Sequence, residues 1–257
     1  MTGPVLVMAH VVAFLLVIVV PVRSWRSYRR LQRLGHELDP IRRHQKLRAS
    51  VIVKWVLTAD VLLVWRIGSP DTMPVLMASS WWWWIVGEIV VLAAVCAVVI
   101  PIRLRTPAYR ARSAKAATRI ASLVPRTRQE RRFIVVVAIT AGVTEEVVYR
   151  AFLLPYLAWL APGRSMLGVV AIGSVIFGLA HAYQGWRGVL QTTALGFVFS
   201  GIYLASGLAL PIILHTVIDL GLLLLPTDLL NEDGTAPTHD DLALTSSGSG
   251  HTPAPGG

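Results

Sequence analysis

Long apolar runs separated by short polar stretches dominate the chain, and run length rather than periodicity defines the predicted elements. A helix crossing the hydrocarbon layer needs about 20 mainly apolar residues, because lipid supplies no partners for free backbone groups. Seven segments meet that requirement: about 4–22, 50–67, 79–102, 133–158, 166–184, 188–206 and 209–226. The pattern therefore predicts an all-α fold, a polytopic transmembrane helix bundle of about seven spans. It divides into an N-terminal membrane region over 1–132 with two basic loops, a helix core over 133–226 and a tail over 227–257. The first span has no positive stretch before it and no small-residue cleavage site after it, so it reads as an anchor and not a removable signal.

Composition supports the membrane reading. Of 257 residues, 54% are apolar and 15% charged, which excludes a disordered chain and argues against a soluble globular domain. A net charge of +10 raises nucleic acid as a partner, but the distribution of the charges points to the lipid bilayer instead. Nineteen of the 24 Lys and Arg lie in 23–48 and 103–132, each flanked by apolar runs, as positive-inside orientation requires. Two spans separate these segments, so both fall on one side. The N-terminus is then outside and the C-terminus cytoplasmic, in a multi-pass protein of the cell membrane. The connections at 68–78 and 161–165 hold only Asp71 and Arg164, as outside loops should. Trp81 to Trp84 read as an aromatic belt at the outer end of the third span, ahead of a stacking platform for a ligand. Residues 103–132 carry apolar positions at partly helical spacing, suited to lying along anionic headgroups. The tail, with five carboxylates and no Lys or Arg, reads as disordered. Cys96, the single cysteine, excludes an intrachain disulfide.

Ionisable groups inside spans cost about 2.5–3.5 kcal/mol each on insertion scales and need a reason. Lys54 lies near the start of its predicted span, where it can snorkel. Asp60 and Glu88 fall in successive spans and can share a polar gap, while His10 reads as a helix-packing donor. Six further groups cluster by helix and spacing. Glu146 and Arg150 stand at i and i+4 with the acid first, the better order for an ion pair. Glu145 projects about 100° away with no cation on its own helix, which leaves it available as a general base. Adjacent carboxylates with different surroundings separate such roles. Phe177 and His181 repeat the i, i+4 spacing on the fifth span, and His215 and Asp219 repeat it on the seventh. Three polar constellations on three spans point to a functional site.

These residues resemble the three ordered motifs of the CPBP family of intramembrane glutamic proteases, related to the type II CAAX prenyl endopeptidase and to Abi proteins. The motifs are Glu145-Glu146-x-x-x-Arg150, Phe177-x-x-x-His181 and His215-x-x-x-Asp219, and the likeness covers about 133–226. The resemblance implies an endopeptidase in which Glu145 activates the attacking water with help from His181. His215 and Asp219 would stabilise the oxyanion, and Glu146 and Arg150 would support the first motif. It implies no metal or other cofactor, and a peptide or membrane-protein substrate. The family's last motif usually ends in Asn, where this chain has Asp219. A carboxylate donates a hydrogen bond only when protonated. Either Asp219 is held protonated by burial, or it accepts from His215 and fixes its tautomer.

Covalent catalysis lacks support. No serine sits in a Gly-x-Ser-x-Gly setting, and Cys96 has no neighbouring histidine. A zinc metalloprotease using Glu145, His181 and His215 as ligands is the competing enzyme, although no His-Glu-x-x-His pattern is present. The non-enzymatic alternative is an Abi-like membrane scaffold or bacteriocin-immunity protein, in which the polar cluster only binds helices together.

Overall fold

A computed structural model of the protein describes residues 3–34, 40–68, 82–120, 124, 127–226 and 228–230. Among them all regular structure is helical, as the apolar runs predict. Helix α1 (Gly3–Phe14) passes through a π turn at Leu15–Val19 into α2 (Val20–Leu34). Next come α3 (Pro40–Gly68), α4 (Trp82–Leu104) and the short α5 (Pro107–Ala117). Helix α6 (Arg128–Glu146) runs through a π segment at Val147–Leu153 into α7 (Leu154–Leu160). The chain ends its described course with α8 (Met166–Ala180), α9 (Gly185–Ser206) and α10 (Ala209–Leu220), the last closed by a 3-10 turn at Gly221–Leu224.

Among the described residues, two continuous helices, Gly3–Arg30 and Ala182–Ser206, are long and apolar enough to cross a bilayer, and Ala94–Leu104, Met166–Ala180 and Ala209–Leu224 are shorter apolar helices. The packing is inverted relative to a water-soluble protein. Val7, Ile52, Val56, Leu167 and Leu190 are each more than half exposed, whereas Glu146 and Arg150 are fully enclosed. Charge inside and aliphatic surface outside is the arrangement that a lipid solvent favours.

Small residues set the closest helix approaches, as packing in lipid favours. A Cβ on Gly142 would fall on Thr216 Oγ1 and lie 3.0 Å from the Ile212 carbonyl oxygen, so α6 and α10 touch backbone to backbone there. A Cβ on Gly178 would meet Thr193 Oγ1 and lie 2.8 Å from the Val189 carbonyl oxygen, which fixes α8 against α9. Thr127 caps α6 in a reciprocal box: its Oγ1 accepts from the Glu130 amide at 3.1 Å, and Glu130 Oε2 accepts from the Thr127 amide at 3.2 Å.

Three expectations change. The basic segment 23–48 is not simply a loop, because 23–34 continues the first helix and 40–48 forms the opening turns of α3. The apolar side of α5 is covered by the chain itself: Ala114 and Ala117 are buried with Leu104, Val124, Leu229 and Leu230. Accordingly, residues 228–230, assigned to the tail from sequence, are packed, and Asp228 pairs with Arg110 at 2.9 Å. The remainder of the tail and Trp81 lie outside the described residues, as do the side chains of Trp82 to Trp84 and of Glu88. His10 bonds to the Tyr156 hydroxyl at 2.7 Å, the packing role expected of it.

Candidate active site

The site is assembled where α6 gives way to its π segment. Glu145 and Glu146 are the last residues of the regular α-helix, and Arg150 lies in the wider turn that follows. Such bulges recur at functional sites because they redirect side chains without ending the helix. Helix α8 has 15 residues, about 22 Å at 1.5 Å per residue, short of a hydrocarbon layer of about 30 Å. It stops at His181, and a 3-10 turn over Ala182–Gln184 leads to Gly185, whose φ of 78° permits the reversal into α9. Helix α2 supports this turn: the Tyr183 amide donates to Ser24 Oγ at 2.9 Å, and the Tyr28 ring lies against Gly185.

Glu146 is the fully enclosed carboxylate. Arg150 Nη1 lies 3.1 Å from Glu146 Oε1, and the His215 Nδ1–H donates to the same oxygen at 2.7 Å. The guanidinium also stacks over the Phe177 ring at 4.3 Å, with Phe199 at 5.6 Å on another side. Phe177 does more than pack, since its carbonyl oxygen accepts from His181 Nδ1–H at 2.9 Å. Each imidazole therefore has its Nδ1 proton engaged, and each turns Nε2 towards Glu145.

Glu145 faces both rings. Its Oε2 lies 3.7 Å from His181 Nε2 and 3.9 Å from His215 Nε2. Both distances exceed a direct hydrogen bond. That oxygen has no hydrogen-bond partner among the described residues. The other oxygen, Oε1, is taken by Lys54 Nζ at 2.7 Å. Asp219 Oδ2 is 3.8 Å from His215 Nε2, at the more exposed edge of the cluster. The structure thus brings together Glu145, Glu146, Arg150, Phe177, His181, His215 and Asp219. One alternative from the sequence fails on geometry: the tautomer of His215 is fixed by Glu146 and not by Asp219, whose oxygen stands too far from the ring for a hydrogen bond.

Lys54 is the residue that sequence reasoning placed elsewhere. Its position near the start of an apolar run implied snorkelling, but α3 begins at Pro40, so Lys54 lies about four turns inside a helix and turns inward. Asp60 on the same helix is exposed. Phe199, beside both Arg150 and His215 at 5.7 Å from the imidazole ring, is also unmarked by any motif.

Glu145, His181 and His215 are also the candidate zinc ligands of the competing reading. Among the described residues, no group of three His, Cys, Asp or Glu is arranged to hold a metal ion. The Lys54 ammonium occupies one oxygen of the presumptive carboxylate ligand and adds positive charge beside a would-be dication.

Residues 128–221 match the Type II CAAX prenyl endopeptidase Rce1-like family. The resemblance carried by the three motifs is thereby borne out over this segment. It runs from the first residue of α6 to the end of α10 and includes every motif residue. Rce1-like proteins are membrane-embedded and generally proteases. No curated protein and no solved structure matches the chain. Lys54 and Ser24 approach the Rce1-like segment from outside it.

Proposed function

We propose that the protein is an intramembrane endopeptidase that hydrolyses a peptide bond with water activated by Glu145. The observation that carries this reading is the unbonded Oε2 of Glu145, which faces the Nε2 atoms of both His181 and His215. A water there donates one proton towards Oε2 and is oriented by His181 Nε2. As its oxygen attacks the substrate carbonyl, that proton passes to Glu145. The carbonyl oxygen becomes an oxyanion, which a protonated His215 stabilises through Nε2–H while its Nδ1–H stays on Glu146. Asp219, in its protonated form, supplies a second donor from the exposed edge. Collapse breaks the carbon–nitrogen bond, and the proton held by Glu145 leaves with the amine. The likeness to the Rce1-like family favours substrates cut near a C-terminus, of the CAAX type.

In this reading the chain crosses the membrane about seven times, with the N-terminus outside and the basic segments 23–48 and 103–132 in the cytoplasm. The charge distribution supports that orientation. The test uses the purified full chain in detergent. Its probe is an internally quenched peptide bearing a farnesylated cysteine followed by three further residues, with the unprenylated peptide and a peptide library alongside. Hydrolysis by the wild type that falls about 10²–10⁴-fold in Glu145→Gln, with that variant still folded, supports the proposal. Equal hydrolysis by the two proteins overturns the glutamate-base mechanism.

A further inference from the structure

We infer that Lys54 is a positioning residue of this site, contributed by α3 from outside the Rce1-like segment; the inference rests on the proposed role of Glu145. A carboxylate on a glutamate side chain has two chemically equivalent oxygens and a soft terminal torsion. Nothing on α6 distinguishes them, because the cation at i+4, Arg150, is committed to Glu146. Lys54 removes the equivalence. Its ammonium binds Oε1 at 2.7 Å and leaves Oε2 as the oxygen directed at the two imidazoles.

The helix register supports this assignment. Trp55, the next residue on α3, donates from Nε1 to Thr140 Oγ1 on α6 at 3.3 Å. The His44 ring packs on Phe133 at 4.8 Å, further towards the start of both helices. Helices α3 and α6 are thus pinned side by side at two levels, and Lys54 meets Glu145 at a third. A lysine at this depth that served only to reach water would direct its stem away from the bundle. This one points inward, with its side chain 29% exposed and its charge on an almost enclosed carboxylate. The short ion pair also restricts the glutamate torsions, so that the general base is held in one orientation before substrate arrives. The proton acceptor of the reaction is Glu145; Lys54 acts through it.

The experiment combines kinetics with a thermal double-mutant cycle on the full chain, using the farnesylated quenched peptide and the unprenylated library as probes. Lys54→Met is expected to lower kcat about 10²-fold with KM changed less than about twofold. Lys54→Arg is expected to recover most of the loss, since it restores the cation. In the cycle of Lys54→Met, Glu145→Gln and the double variant, the melting temperature losses are expected to be non-additive, with the double variant no less stable than Lys54→Met alone. Wild-type kcat in Lys54→Met, with Glu145→Gln inactive, overturns the inference about Lys54 and leaves the glutamate mechanism standing. Full hydrolysis in Glu145→Gln overturns both. Strictly additive melting losses overturn the pairing whatever the kinetics give, and where Lys54→Met is too unstable to assay, Lys54→Gln takes its place in both the kinetics and the cycle.

Discussion

His215 Nδ1 lies 2.7 Å from Glu146 Oε1, a contact between residues 69 positions apart that fixes which nitrogen of the imidazole faces the site. The first motif therefore serves the third directly. Its second glutamate orients the histidine of the last helix, while its first glutamate faces the nitrogen so presented.

Glu146→Gln is expected to lose stability and hydrolysis together. Arg150 is fully enclosed and depends on Glu146 for its charge partner, and removing one member of a buried pair costs about 3–5 kcal/mol. The amide can also present its NH2 to His215 and permit the wrong tautomer. Thermal unfolding in detergent alongside peptide hydrolysis checks both effects. A variant with wild-type melting temperature and wild-type rate contradicts the assignment of Glu146 as the structural carboxylate.

Asp219→Asn is expected to keep or raise activity. Since Glu146 already orients His215, Asp219 remains available as a donor, and an amide donates at every pH whereas a carboxylic acid donates only while protonated. An alkaline limb in the wild-type pH–rate profile should then be absent from the Asn variant. Inactivity of that variant across the whole pH range rules out the donor role.

Hydrolysis is expected to continue in excess chelator, because the proposed mechanism activates water with Glu145 and calls on no metal. Elemental analysis of the purified protein is the companion measurement. Stoichiometric zinc, with activity lost on its removal and regained on its return, would establish the metalloprotease reading instead.

A cysteine introduced at Arg30 in a Cys96→Ala background is expected to react with a membrane-impermeant maleimide only after the cytoplasmic face is opened. Residue 30 lies in the basic extension of the first helix, which the positive-inside rule assigns to the cytoplasm. Labelling of intact cells from outside would reverse the proposed orientation.

What was legible in the sequence is what depends on one helix at a time. The spacing of Glu146 and Arg150 suffices to place them on one face, and the ion pair is there. The lengths of the apolar runs locate the helices, but their ends blur wherever polar residues continue the same helix, as at 23–34 and 40–48. That blurring is why Lys54 reads as a residue near a helix end. The i, i+4 spacing of His215 and Asp219 permits a bond that the ring forgoes, because Glu146 on another helix is closer. Nothing local reveals that contact. It follows from how tightly α6 and α10 approach at Gly142 and Thr216, a relation between positions 74 residues apart. The π segment after Glu146 also has no compositional mark, since Val147 to Leu153 would read equally well as ordinary helix.

The burial of Leu229 and Leu230 has a practical corollary for anyone preparing this protein. A chain shortened after Pro226, where the apolar character of the sequence stops, would strip the cover from Leu104, Ala114, Ala117 and Val124 and release Arg110 from Asp228. The resulting greasy patch beside unpaired arginine is a recipe for aggregation during extraction, even with every catalytic group intact. Trimmed versions should therefore keep the chain through at least Leu230.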